Sequence, residues 1–126
     1  MRVRVKTHTG RFDIEAEALR IGDDYLVAIW GGQKPHIGAV AAARPRPSLG
    51  SPEATSATAS VICFPAHKEF EIARVVSEEL AATLGTSVVV TAGIHWDNIG
   101  KEGIEKVISN TKILTGLILE RIQNDT

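Results

Sequence analysis

The hydrophobic period of this chain changes near residue 69, and that change restricts the folds open to it more than any other feature. Before it, apolar residues recur at every second position: Val3 and Val5 between Arg2, Arg4 and Lys6, then Phe12, Ile14, Ala16 and Ala18 between Asp13, Glu15 and Glu17. A period of two is the mark of a strand with one wet face. After it, Ile72, Ala73, Val76, Leu80 and Leu84 fall at helical spacing and Gly85 suits a left-handed helix end. The spacing predicts strands at 2–8 and 12–18, joined through Thr9-Gly10-Arg11, and a third strand at 25–30 after Gly22-Asp23-Asp24, which together form a meander.

Tyr25 to Trp30 and Ile37 to Ala43 are continuously apolar, as strands covered on a face would be. Ser56 to Phe64 alternates again, with Ala57, Ala59, Val61 and Cys63 on one side, and halts at Pro65. Between them, residues 44–55 hold Pro45, Pro47, Pro52 and Gly50, and are expected to form a mobile loop with no ladder. Helices are expected at 69–84 and 101–122, the second striped by Ile104, Val107, Ile108, Leu114, Ile118 and Ile122 and weakened by Gly103 and Gly116. Ser87 to Val90 between them is too short and too β-branched for a helix. It is read as a strand parallel to the one at 56–64 across a right-handed crossover. The expected fold class is an α/β (α+β) two-layer sandwich: a mixed sheet of five or six strands with both helices on one face.

At 126 residues the chain suits one domain, 1–126. Its 14 Lys+Arg against 15 Asp+Glu leave a net charge of -1, with no basic field to attract nucleic acid or an anionic membrane. No apolar run approaches the ~20 residues of a membrane span, and the amino terminus lacks a signal-peptide core. Cys63, the only cysteine, is read as a buried, inert thiol in a reducing compartment, and the cytoplasm is expected. A sheet covered on one face leaves the other face or an edge strand open, so a homodimer is expected.

Three segments place polar residues where strands meet loops. In Gly31-Gly32-Gln33-Lys34-Pro35-His36 the paired glycines free backbone N–H groups and Lys34 adds charge, as a phosphate cradle needs; without P-loop or G-x-G-x-x-G spacing, a plain turn is the favoured reading of these residues alone. His67-Lys68-Glu69 opens a helix, where N–H groups attract anions, or where Glu69 simply satisfies the helix end. His95-Trp96-Asp97-Asn98 leaves the carboxyl end of a strand, the edge at which open α/β sheets bind ligands, although Asp97 or Asn98 also suits a helix N-cap. The histidines lack metal-ligand spacing, and a metal-dependent enzyme would need three separate segments to converge. There is no G-x-S-x-G.

Taken together, residues 31–40, His67-Lys68-Glu69, and Ala92-Gly93-Ile94-His95-Trp96-Asp97-Asn98-Ile99 resemble the LpdD-like prenylated-flavin chaperones, a family linked to the small subunit of gallate-type decarboxylases. The resemblance spans about residues 1–122. It implies a fold similar to the proteasome assembly chaperones, no catalytic residue, and a chaperone-like role in handling prenylated FMN, or FMN, for a UbiD-type decarboxylase client. Gly31, Gly32, Lys34, His36, His67, Lys68, His95, Trp96, Asp97 and Asn98 are the candidate cofactor-binding residues, with Trp30 or Trp96 as the wall of the ring. The competing reading is a protein-assembly module with no small-molecule ligand. If the strand after His36 runs antiparallel to its neighbour, Lys34, His36, His67, Lys68, His95, Asp97 and Asn98 reach one end of the sheet as a single polar cluster.

Overall fold

A computed structural model of the chain describes residues 1–64 and 69–125. Its elements run β1 (Arg2–Lys6), β2 (Ile14–Ile21), β3 (Asp24–Gly32), β4 (Ala39–Pro47), β5 (Thr55–Cys63), α1 (Phe70–Leu84), β6 (Val88–His95) and α2 (Gly100–Asn124). The six strands form one mixed sheet in the order β1-β2-β3-β6-β4-β5. β3 and β6 are parallel and every other neighbouring pair is antiparallel. α1 packs on β4, β5 and β6, and α2 on β1 and β2, so both helices cover the same face. No helix among the described residues is long and apolar enough to cross a membrane.

The alternation expected of the strands sends Val3, Ile14, Ala16, Val27, Ile29, Ala41 and Val90 under the helices, where all are buried. Leu80 of α1 and Leu114, Ile118 and Ile122 of α2 meet them, each removing enough apolar surface from water to contribute roughly 1.5–3 kcal/mol. Gly103, expected only to weaken α2, serves its packing. A Cβ there would stand 2.9 Å from the Phe12 ring and 2.6 Å from Ile99, so the glycine lets the helix approach the turn between β1 and β2. That turn is held by Asp13, which accepts from Thr7 Oγ1 at 2.8 Å and Thr9 N at 2.7 Å. Asn110 of α2 donates to Phe12 O at 2.7 Å.

Four expectations change. β4 continues to Pro47 and pairs with β5 as far as Pro47↔Thr55, so residues 44–47 do sustain a ladder and only 48–54 are hairpin tip. The bonds Phe64 N to Gly38 O and Ser48 N to Ala54 O set the phase of this ladder. By antiparallel alternation the even-numbered residues of β4 then bond to β5. The nitrogens of Pro45 and Pro47 therefore point away from β5, on the side where pairing with β6 has already ended at Ala43↔Val88. A proline costs no ladder bond at such a place.

β5 and β6 run in the same direction, but β4 lies between them, and the strand parallel and adjacent to β6 is β3. Gly31 and Gly32 belong to β3 rather than to a loop. Cys63 is exposed, not core: β5 is an edge strand, and Ile62, Cys63 and Phe64 at its carboxyl end are all exposed.

Candidate functional site

Because β6 is inserted between β3 and β4, the segment that joins those strands, residues 33–38, must cross over the end of β6 instead of turning as a hairpin. Three glycines make the crossing feasible. Gly31 is buried against Ile14, whose Cγ2 would lie 2.7 Å from an added Cβ. Gly32 has φ +88, and an added Cβ would meet His95 O at 2.0 Å; at Gly93 it would meet His36 O at 1.4 Å. The glycine character of Gly31 and Gly32 thus answers to close packing of strand on strand. Gln33 pins the start of the crossing: its N donates to His95 O at 2.8 Å, and its Oε1 accepts from Asp97 N at 2.6 Å.

His36 pins the other end. Its Nδ1 lies 2.8 Å from Lys34 O and its Nε2 2.9 Å from Glu69 Oε1. Both ring nitrogens of His36 thus stand within hydrogen-bonding distance of an oxygen, one on the backbone of the crossing and one on the carboxyl group of Glu69. Glu69 is buried and also accepts from Ile94 N at 3.3 Å, just past the backbone bond from Gly38 N to Ala92 O. It makes no side-chain cap bond at the start of α1. Instead it ties together α1, β6 and the crossing segment.

His95 and Asp97 lie at the same end of the sheet, with His95 Nε2 2.9 Å from Asp97 Oδ1. That hydrogen bond, helped by the charge of Lys34, holds the Asp97 carboxyl below the usual carboxylate range. Asp97 is exposed. Asp97 and Asn98 do not cap α2, whose first residue follows Ile99 with no side-chain cap bond; Asn98 takes φ 52 in the link. Trp96 packs edge-on against Phe12 at 5.2 Å. Trp30, opposite Gly93, is on the other face of the sheet, beneath Arg4 at 5.5 Å, so of the two tryptophans Trp96 is the one on the helix-covered side. His67 and Lys68 lie outside the described residues.

Beside these groups a cleft of about 430 Å³ opens between the first turns of α1 and α2. Ile72, Ile94, Trp96, Ile99, Val107 and Ile108 give it apolar walls, and Glu69, Glu71 and His95 are its polar members. Among the described residues no three His, Cys, Asp or Glu side chains are grouped to hold a metal ion. Of the seven residues that the sequence brings to one edge, Lys34, His36, His95 and Asp97 lie at this end of the sheet, Asn98 follows in the link to α2, and His67 and Lys68 fall outside the described residues. The sequence reading missed Gln33 and the turn of Glu69 away from its helix. A glutamine flanked by glycine and lysine carries no pattern, and Glu69 reads as an ordinary first-turn acid. The cleft was missed too, although Ile104 and Ile108 recur at i and i+4.

No match was found among functionally curated proteins. Among solved structures, the chain is similar to one from a chaperone complex for yeast 20S proteasome assembly. The TM-score is 0.53 at 9% identity, over 91% of this chain and 98% of that one, a likeness of fold. The prenylated flavin chaperone LpdD-like domain model matches residues 8–123, nearly the whole sheet and both helices, and the chain belongs to that family.

Proposed function

We propose that this chain is a chaperone-like accessory protein that holds prenylated FMN, or FMN, transiently and passes it to a UbiD-type decarboxylase during maturation, acting in the cytoplasm as a homodimer. The observation that carries the reading is the apolar cleft of about 430 Å³ at the end of the sheet where Lys34, His95 and Asp97 gather. Its size falls within the roughly 300–1,000 Å³ of small-molecule sites, and its few polar groups among apolar walls match their usual make-up. The ring system and prenyl carbons take the walls formed by Trp96, Ile99, Val107 and Ile108. Lys34 and His95 face the phosphate from the rim, with Asp97 orienting His95.

Titration of the purified protein with prenylated FMN and with FMN, read by flavin and tryptophan fluorescence, tests this. Saturable binding that weakens about tenfold or more in Trp96→Ala is expected, since base-like rings on aromatic faces contribute about 1–3 kcal/mol. Absence of saturable binding by either flavin overturns it. The second reading, an assembly module with no small-molecule ligand, draws on the helix-free face of the sheet, where Leu26 and Ile62 are exposed. Copurification of the decarboxylase client with the Trp96→Ala protein as readily as with the wild type, and no flavin binding by either, is what that reading expects.

A further inference from the structure

The two edges of the sheet are guarded very differently. At β1, the bonds Arg20 N to Met1 O and Thr7 N to Ile14 O show that odd-numbered residues bond to β2. The even-numbered Arg2, Arg4 and Lys6 therefore turn their backbone groups to the open edge. Each carries a charge, the device by which an edge strand resists pairing with another chain. At β5, Phe64 N donates to Gly38 O and Ala54 O accepts from Ser48 N, so even-numbered residues bond to β4. The backbone groups of Thr55, Ala57, Ala59 and Val61 face outward. Along its nine residues, TSATASVIC, β5 has no charge, no proline and no glycine. A strand of this length and β-propensity whose own residues carry none of these guards is a template for strand addition.

We propose that β5 pairs antiparallel with β5 of a second copy, about a two-fold axis at Ala59, to give a continuous sheet through both protomers. This rests on the homodimer part of the function proposed above and specifies its surface; it does not depend on flavin binding. The self-pairing register sets Ala59 against its equivalent, Ala57 against Val61, and Thr58 against Ser60. No like charges oppose one another, and the small and larger apolar residues alternate on the helix-covered face, where Ala57 is already buried. By contrast, the same operation at β1 would stack Arg2, Arg4 and Lys6 against one another. A two-fold operator also closes the edge, leaving only the guarded β1 edges at the two ends of the assembly.

Solution mass by light scattering at micromolar concentration, with circular dichroism as the check on folding, tests the proposal. The wild type is expected to be a dimer. Ala59→Pro removes an outward N–H without touching the β4 ladder and is expected to give a folded monomer. Leu26→Lys, which charges the open sheet face, should remain dimeric. Should Ala59→Pro fail to fold, the double variants decide. T58E/S60E sets like charges across the axis and raises the dimer dissociation constant about tenfold, whereas T58E/S60K sets opposite charges and restores the wild-type value. A monomeric wild type overturns both the edge pairing and the homodimer. A dimer lost in Leu26→Lys but kept in Ala59→Pro, or indifferent to the sign at residue 60, overturns the edge pairing alone.

Discussion

The carbonyl oxygen of His36 occupies the space that a side chain on residue 93 would need: a Cβ there would lie 1.4 Å from it. This is the steric cost of threading β6 between β3 and β4, because the chain linking those strands has to lie across the inserted one. Gly93→Ala must displace backbone, not the end of a flexible side chain. Its expected cost is about 3 kcal/mol or more, at the upper end of overpacking, read as the loss of urea-unfolding free energy. Gly50→Ala, which meets nothing within 4 Å, is the matched control and should change stability by less than about 0.5 kcal/mol.

Glu69 joins three elements through one buried carboxylate, so its removal should be felt beyond α1. Glu69→Ala deprives Ile94 N and His36 Nε2 of their shared acceptor. An unfolding free energy lower by about 2–4 kcal/mol is expected, in the range for breaking buried charged hydrogen bonds. His36→Ala should cost less, about 1–3 kcal/mol. A double-mutant cycle should return a coupling above about 0.5 kcal/mol. Additive losses would show that the two side chains hold the crossing segment independently.

Much of the fold was legible from local pattern. The helices were expected at 69–84 and 101–122 and are found at Phe70–Leu84 and Gly100–Asn124, because periodic stripes such as Ile104, Val107, Leu114 and Ile118 are carried within one element. The order of strands was less accessible. That β6 pairs with both β3 and β4 depends on contacts between residues such as Val27 and Val90, distant in sequence, and nothing local announces them. Pro45 and Pro47 suggested a loop, since the sequence does not tell which way a strand residue turns its nitrogen. Cys63 looked buried from its apolar neighbours, but burial at the end of an edge strand depends on how far α1 reaches. At the site, the shared end followed from strand direction, whereas the inward turn of Glu69 required knowing that β4 begins only at Ala39, opposite Ala92, and leaves Ile94 N to be satisfied.

The Asp13 turn should make stability depend on acid pH. Burial opposes ionisation of this carboxyl, but hydrogen bonds from Thr9 N, Thr7 Oγ1 and Gly10 N outweigh it and lower its pKa below 3.8. A group depressed in the folded state stabilises above its unfolded pKa, and that contribution is lost as pH falls through the folded value. The gap in urea midpoint between wild type and Asp13→Asn should therefore be constant from about pH 7 to about pH 5 and shrink below about pH 4. A gap independent of pH down to about pH 2 would assign the effect of the substitution to packing alone.

Hydrogen exchange distinguishes ladder from tip in the β4–β5 hairpin. The N–H groups of Arg44 and Arg46 face β5 by the phase of the ladder, and Ser48 N bonds Ala54 O. Leu49 is 93% exposed, and neither it nor Gly50 donates a backbone bond in the turn. Arg44 and Arg46 should be protected, while Leu49 and Gly50 exchange at nearly the rate of an unfolded chain. Rapid exchange at Arg44 and Arg46 would move the end of β4 back toward Ala43 and restore a longer loop.

The two histidines at the carboxyl end of the sheet should separate structure from binding. His36 is half-buried and bridges Lys34 O to Glu69, so its loss is chiefly a loss of stability, as argued above. His95 has its imidazole on exposed Asp97 and belongs to the wall of the apolar cleft, so trimming it removes no buried partner. His95→Ala is expected to unfold within about 0.5 kcal/mol of the wild type. If Lys34 and His95 face a phosphate as proposed, the same variant should bind FMN about tenfold more weakly, and riboflavin, which lacks the phosphate, no more weakly than the wild type does. Asp97→Asn gives an intermediate loss, because the imidazole stays but loses the carboxylate that orients it. Equal weakening toward FMN and riboflavin would place His95 against the ring rather than the phosphate, and a loss of stability matching that of His36→Ala would remove the distinction between the two residues.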